Sequence, residues 1–183
     1  MTTIVAKRDP MTGEVWIGAD RQRSDTADDV RMLDTGDKLW SALGCLWAGT
    51  GALTSLQRLR SWLRYPDPAR RPPTTDDDLQ ALMDRARADL FATSGEAPWL
   101  LVATPAAIYD CHCLGSALLC GPAGGANGSG RAPALAVLFD RRDEPARETV
   151  LRALRAACAL DVWSGGGIDL WRVGDPAPER VDQ

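Results

Sequence analysis

Thr2-Thr3-Ile4-Val5-Ala6-Lys7-Arg8, then Asp9-Pro10-Met11-Thr12-Gly13, then Glu14-Val15-Trp16-Ile17-Gly18-Ala19-Asp20 open the chain. The two outer runs are rich in β-branched and aromatic residues, whose side chains pack well on a pleated surface. The run between them holds the aspartate, proline and glycine that turns demand. The reading is a hairpin that begins at residue 2. A polar, irregular stretch from Arg21 to Asp29 follows. A second pair of strands, Val30 to Leu39 and Cys45 to Thr50, turns at Ser41 to Gly44.

After Gly49-Thr50-Gly51, Leu53, Leu56, Leu59 and Leu63 recur at helical spacing. Pro66, Pro68, Pro72 and Pro73 make a loop. Thr74-Thr75-Asp76 then caps a second helix running to about Ala92, with Leu79, Leu82, Met83 and Ala86 on one face. Trp99 to Ala103, Ala107 to Cys111 and Leu114 to Cys120 read as strands. Gly121 to Gly130 is too rich in glycine for either regular state. Helices return after Ser129 and from Pro145 to Leu160, and a last strand runs from Ile168 to Val173. Strands, helices, strands, helices and a strand in this order can bury both faces of two stacked antiparallel sheets beneath two helical layers. The expected fold class is α+β, a four-layer αββα sandwich in one domain spanning residues 1–183.

Composition narrows the function. At 183 residues and 45% apolar content, the chain can bury one sizeable core. A net charge of -4 offers no basic excess to follow a phosphate backbone, so nucleic acid is excluded as the expected partner. No apolar run approaches the roughly 20 residues that span a bilayer, and the opening residues lack a signal peptide, which points to the cytoplasm. The five cysteines are odd in number and lie mostly in apolar runs, as reduced thiols do. Cys111-His112-Cys113 has one residue between its cysteines, a spacing that matches none of the usual zinc sites, so no metal is expected. His112 is the only histidine. Ser-His and Cys-His mechanisms would have to run through it, and no serine or cysteine motif points there.

A different nucleophile arrangement remains open. A threonine at the chain end can use its own α-amine, with a pKa of roughly 7.7 to 8.0, as the general base for its hydroxyl. Thr2 meets that requirement once Met1 is removed, although many cytosolic chains carry a small second residue for no catalytic reason. Asp20 ends the second strand and Lys38 ends the third, so a sheet can return both beside residue 2. Lys38 and Lys7 are the only lysines in a chain that otherwise uses arginine. A compact ammonium can give up a proton where a guanidinium cannot, the alternative being an ordinary surface lysine.

The run Leu160-Asp161-Val162-Trp163-Ser164-Gly165-Gly166-Gly167 makes a resemblance specific. Together with Thr2, Gly18-Ala19-Asp20, Lys38 and Gly128-Ser129-Gly130, it resembles the ordered motifs of proteasome β-type subunits and the related HslV peptidases. The short opening is most similar to the small bacterial proteasome homologues. The resemblance spans residues 2 to about 173. It implies the N-terminal nucleophile hydrolase fold, with Thr2 as nucleophile and Lys38, held by Asp20, lowering the threonine pKa. Ser129, Asp161 and Ser164 would position the amine, and the Gly49 N–H would be the oxyanion donor. Gly51 and Trp47 would meet the substrate, Trp47 as a pocket wall unless alternation points it into the core. The resemblance further implies stacked homo-oligomeric rings of roughly six or seven subunits. It also implies peptide or unfolded-protein substrates, no cofactor, and an ATP-driven unfoldase as a partner. A silent ring scaffold and a non-proteolytic amidase of the same superfamily are the alternative functions.

Overall fold

The computed structural model describes residues 2–25, 30–32, 38–92, 97–112 and 115–182. The opening hairpin forms as read, with β1 (Thr3–Arg8) and β2 (Val15–Asp20) antiparallel and Ile4 opposite Ala19. Asp9 closes its turn by accepting the N–H groups of Met11 and Thr12 on one carboxylate oxygen. β3 (Arg23–Asp25) and β4 (Val30–Met32) make a small antiparallel pair. The irregular stretch and the long strand expected between residues 21 and 39 are thereby corrected in part. Residues 26–29 and 33–37 lie outside the described residues.

β5 (Leu39–Ala42) and β6 (Cys45–Thr50) join through Leu43 and Gly44, both at positive φ (52° and 70°). Such a turn matches the right-handed twist of the flanking strands. α1 (Leu53–Arg64) and α2 (Asp76–Ala86) follow. Thr75 caps α2 reciprocally with Asp78, and a π-helical turn, Arg87–Phe91, extends it. β7 (Trp99–Ala103), β8 (Ile108–His112) and β9 (Ala117–Leu119) complete a five-stranded sheet in the order β5-β6-β7-β8-β9.

The second sheet runs β10-β1-β2-β11-β12, with β10 (Gly125–Gly128), β11 (Ile168–Arg172) and β12 (Glu179–Val181). α3 (Arg131–Asp140) and α4 (Ala146–Leu160) lie between β10 and β11 in the chain. β10 corrects the reading of the glycine-rich stretch. A Cβ on Gly128, whose φ is 102°, would sit 1.8 Å from the Thr2 carbonyl oxygen, and one on Gly124 would sit 2.3 Å from that of Ala6. Glycine here permits a strand to lie close against the N-terminus, where it would ordinarily argue against a strand.

Among the described residues, three cores define four layers. Leu56, Leu59, Leu79 and Met83 of the first helix pair pack on Trp40, Trp47, Leu100 and Val102. Ile4, Ala6 and Ile17 meet Leu46, Ala48 and Leu101 between the sheets. Val5 and Leu170 pack against Leu138, Val150 and Leu154 of the second helix pair. Strand alternation assigns these sides, since Leu46 and Ala48 face one way and Trp47 the other. The fold is the four-layer αββα sandwich, and burial of each large side chain in it contributes about 1.5–3 kcal/mol.

Candidate active site at the N-terminal strand

Sheet register decides what meets residue 2. β1 lies between β10 and β2, with Thr3 opposite Gly128, and β11 enters beside β2 with Ile168 opposite Asp20. One end of this sheet thus gathers the chain opening, the Asp20 end of β2, the loop before α3 and the loop before β11. Thr2 is itself buried, at 8% exposure, and its carbonyl accepts the Ser129 N–H at 3.0 Å.

Asp20 is the hub of one half. Its Oδ1 accepts the Thr3 N–H at 2.7 Å and the Lys38 ammonium at 2.9 Å. Its Oδ2 accepts the N–H groups of Gln22 (3.2 Å) and Gly165 (3.1 Å). The Lys38 Nζ also donates to the Gln22 carbonyl. Burial lowers the Lys38 pKa from its ordinary value, and the attraction of Asp20 only partly opposes that. An ammonium held by one carboxylate in a dry site is thus biased toward releasing a proton.

Asp161 is the hub of the other half. It ends α4 as its C-cap, and Oδ2 accepts the hydroxyls of Ser129 and Ser164, each at 2.6 Å. Partial burial raises its pKa, but the Ser129 and Ser164 hydroxyls and the Trp163 N–H outweigh this and hold it below the usual carboxylate value. Thr3 joins the halves. Its side chain is fully buried, its Oγ1 lies 2.6 Å from the Ser164 Oγ, and it accepts the Gly130 N–H at 2.9 Å.

A buried ion pair braces the same sheet end. The Arg21 Nη1 donates to both oxygens of Asp169 at 2.8 and 2.7 Å, while the Arg21 N–H donates to the carbonyls of Gly165 and Gly167. The glycine run before β11 is therefore laced to the end of β2, which holds Ser164 in place.

Two assignments are corrected. The Gly49 N–H donates to the Lys38 carbonyl at 3.1 Å within the β5–β6 ladder, so it is not an open oxyanion donor in this conformation. Trp47 is fully buried in the core under α1 and α2, with its indole N–H on the Ala42 carbonyl, and is no pocket wall. Gly51 stands just past the open end of β6 with φ at 119°. Away from this cluster, Cys111 is buried in the core and the His112 ring stacks on Trp99 at 4.1 Å, while Cys113 lies outside the described residues. Thr3 and Arg21 are the partners that sequence reasoning missed. The only signal for Thr3 was its repetition of Thr2.

The four-layer αββα architecture is shared with solved structures. A structure of "BPH" from Thiobacillus denitrificans in complex with epoxomicin is similar to this chain at a TM-score of 0.74 and 20% identity, covering 94% of this chain and 97% of that one. A second structure of Thiobacillus denitrificans BPH aligns at a TM-score of 0.74 and 19% identity, over 96% and 100% of the two chains. The HslV of Trypanosoma brucei aligns at 0.78 and 20% identity, over 93% and 98%. No protein-family model and no curated protein matches the sequence. At these identities the likeness carries the fold, whereas the side-chain cluster stands on its own geometry.

Proposed function

We propose that this chain is a threonine peptidase in which Thr2, freed of Met1, is the nucleophile. The observation that carries the reading is the convergence on residues 2 and 3 of a buried lysine held by Asp20 and a Ser129–Asp161–Ser164 cluster. The Thr2 Oγ attacks the scissile carbonyl and its proton passes to the Thr2 α-amine. That amine then protonates the departing amine of the substrate, leaving an ester that water hydrolyses with the amine again as base. Lys38 stabilises the developing alkoxide, and Ser129 and Ser164 hold the amine. Gly51, at the open end of β6, offers backbone to an extended peptide. The same reading takes unfolded or peptide substrates, a cytoplasmic setting, self-association of one-domain subunits and docking of an ATP-driven unfoldase, as the resemblance of the sequence motifs implies.

Epoxomicin, the ligand in one of the similar structures, is the natural probe. The expected result is a mass corresponding to the chain without Met1, a stoichiometric adduct with epoxomicin, and loss of both adduct and peptide hydrolysis in Thr2→Ala. Labelling that survives Thr2→Ala would overturn the nucleophile assignment. An assembled wild type that neither labels nor hydrolyses peptides would make the chain a ring scaffold.

A further inference from the structure

The Thr3–Ser164 contact has only one consistent direction. Each hydroxyl owns one proton. Ser164 donates its proton to Asp161 Oδ2 at 2.6 Å, so in its 2.6 Å contact with Thr3 the Ser164 Oγ must accept. Thr3 Oγ1 therefore donates to Ser164, and its own lone pair receives the Gly130 N–H at 2.9 Å. The result is a one-way chain from the Gly130 N–H through Thr3 and Ser164 to the Asp161 carboxylate. It begins at the N-cap of α3, where backbone N–H groups lack helical partners. It ends on an anion whose Oδ2 also takes the Ser129 proton.

We propose that Thr3 is a positioning residue whose hydroxyl, oriented by Gly130, turns the Ser164 hydroxyl onto Asp161 and so fixes the polarity of the site. This rests on the reading of Thr2 as nucleophile. With their protons committed to Asp161, Ser129 and Ser164 present lone pairs only, and lone pairs are what an α-amine needs if its N–H groups are to be held and its own lone pair turned to Thr2 Oγ. Full burial of Thr3 leaves no water to substitute for the hydroxyl. A threonine chosen only as a strand former would be replaceable by valine, which has the same shape and no proton to direct.

The test compares wild type, Thr3→Val, Thr3→Ser, Ser164→Ala and the Thr3→Val/Ser164→Ala double variant by peptide hydrolysis across pH, with thermal melting as the control for folding. Thr3→Val is expected to lose at least about tenfold in kcat with KM changed less than about twofold. The acid limb of its kcat/KM profile should move to lower pH, because an amine with poorly aimed acceptors holds its proton less well. Thr3→Ser should stay within about threefold of wild type, and the double variant should be no slower than Ser164→Ala alone. A Thr3→Val enzyme with wild-type kcat and pH profile overturns the proposal, as does a serine variant no better than valine or additive losses in the double variant. If Thr3→Val does not fold, Thr3→Ala is read in its place, and failure of both overturns the proposal by making the hydroxyl a requirement of the fold. An inert wild type is a different result, sinking the peptidase reading and this proposal with it.

Discussion

Lys38 and Lys7 are both buried, and they test different things. Lys38 Nζ is enclosed by Asp20 and the Gln22 carbonyl at the candidate site. Lys7 is fully buried at the far end of β1, donating to the Glu144 carbonyl, so it is no surface control. Lys38→Arg is expected to abolish peptide hydrolysis, because the larger guanidinium does not fit where the compact ammonium sits between Asp20 and the Gln22 carbonyl. Lys7→Arg should overpack its site, costing about 1–3 kcal/mol in urea unfolding while the folded protein keeps its kcat. Equal effects of the two substitutions on kcat would contradict this assignment. Asp161 supplies a pH signature. Because its folded pKa lies below the ordinary 3.8, its stabilising contribution is complete above that value and is lost as pH falls through the folded value. The stability advantage of wild type over Asp161→Asn, followed by thermal melting from about pH 6 down to about pH 2, should therefore shrink on the acid side. An advantage that grows on acidification would refute the sign.

At the scale of elements, β10 carries the sharpest expectation. Gly128→Ala places a methyl group 1.8 Å from the Thr2 carbonyl oxygen at a left-handed φ, so the strand or the N-terminus must move. It should cost about 2–4 kcal/mol in urea unfolding and lower kcat. Gly121→Ala, where a Cβ meets nothing within 4 Å, should change stability by less than about 0.5 kcal/mol. Equal stabilities for the two would show that close approach does not matter. β10 was illegible in the sequence because glycine lowers strand propensity and its reason for being there is a neighbour more than 120 residues away. The hairpins, the capped helix and the order of layers were legible, because periodicity and turn chemistry are local. Asp20, Lys38, Asp161 and Ser164 could be named from motif order, and the structure brings them to one sheet end. Trp47 could not be placed, since a strand pattern shows that sides alternate without showing which core each side faces. Thr3 was hidden because a β-branched residue in a strand already has a sufficient reason to be there.

The whole molecule leaves large apolar side chains in water. Leu160 is 76% exposed and Val162 60%, flanking Asp161 at the end of α4, and Phe139 on α3 and Leu118 and Leu119 on β9 are also exposed. Apolar surface of this kind is covered when subunits associate. Native mass measurement should give a multiple of the 19.7 kDa chain, and Leu160→Glu or Phe139→Glu should shift the distribution toward monomer. A wild type that is monomeric at working concentration would contradict this. The central place of β1 in its sheet also sets a timetable. β1 has Gly125–Gly128 as one neighbour and belongs to a sheet whose later strands, β11 and β12, follow more than 140 residues further along the chain. At about 5–20 residues per second, the opening residues wait roughly 6–25 s for β10 to be made. Until β10 is in place its side of β1 is uncovered, whereas in the finished fold Thr2 is enclosed. Under the function proposed above, trimming of Met1 would come first and the candidate cluster would close last, once β10 and β11 have joined the sheet.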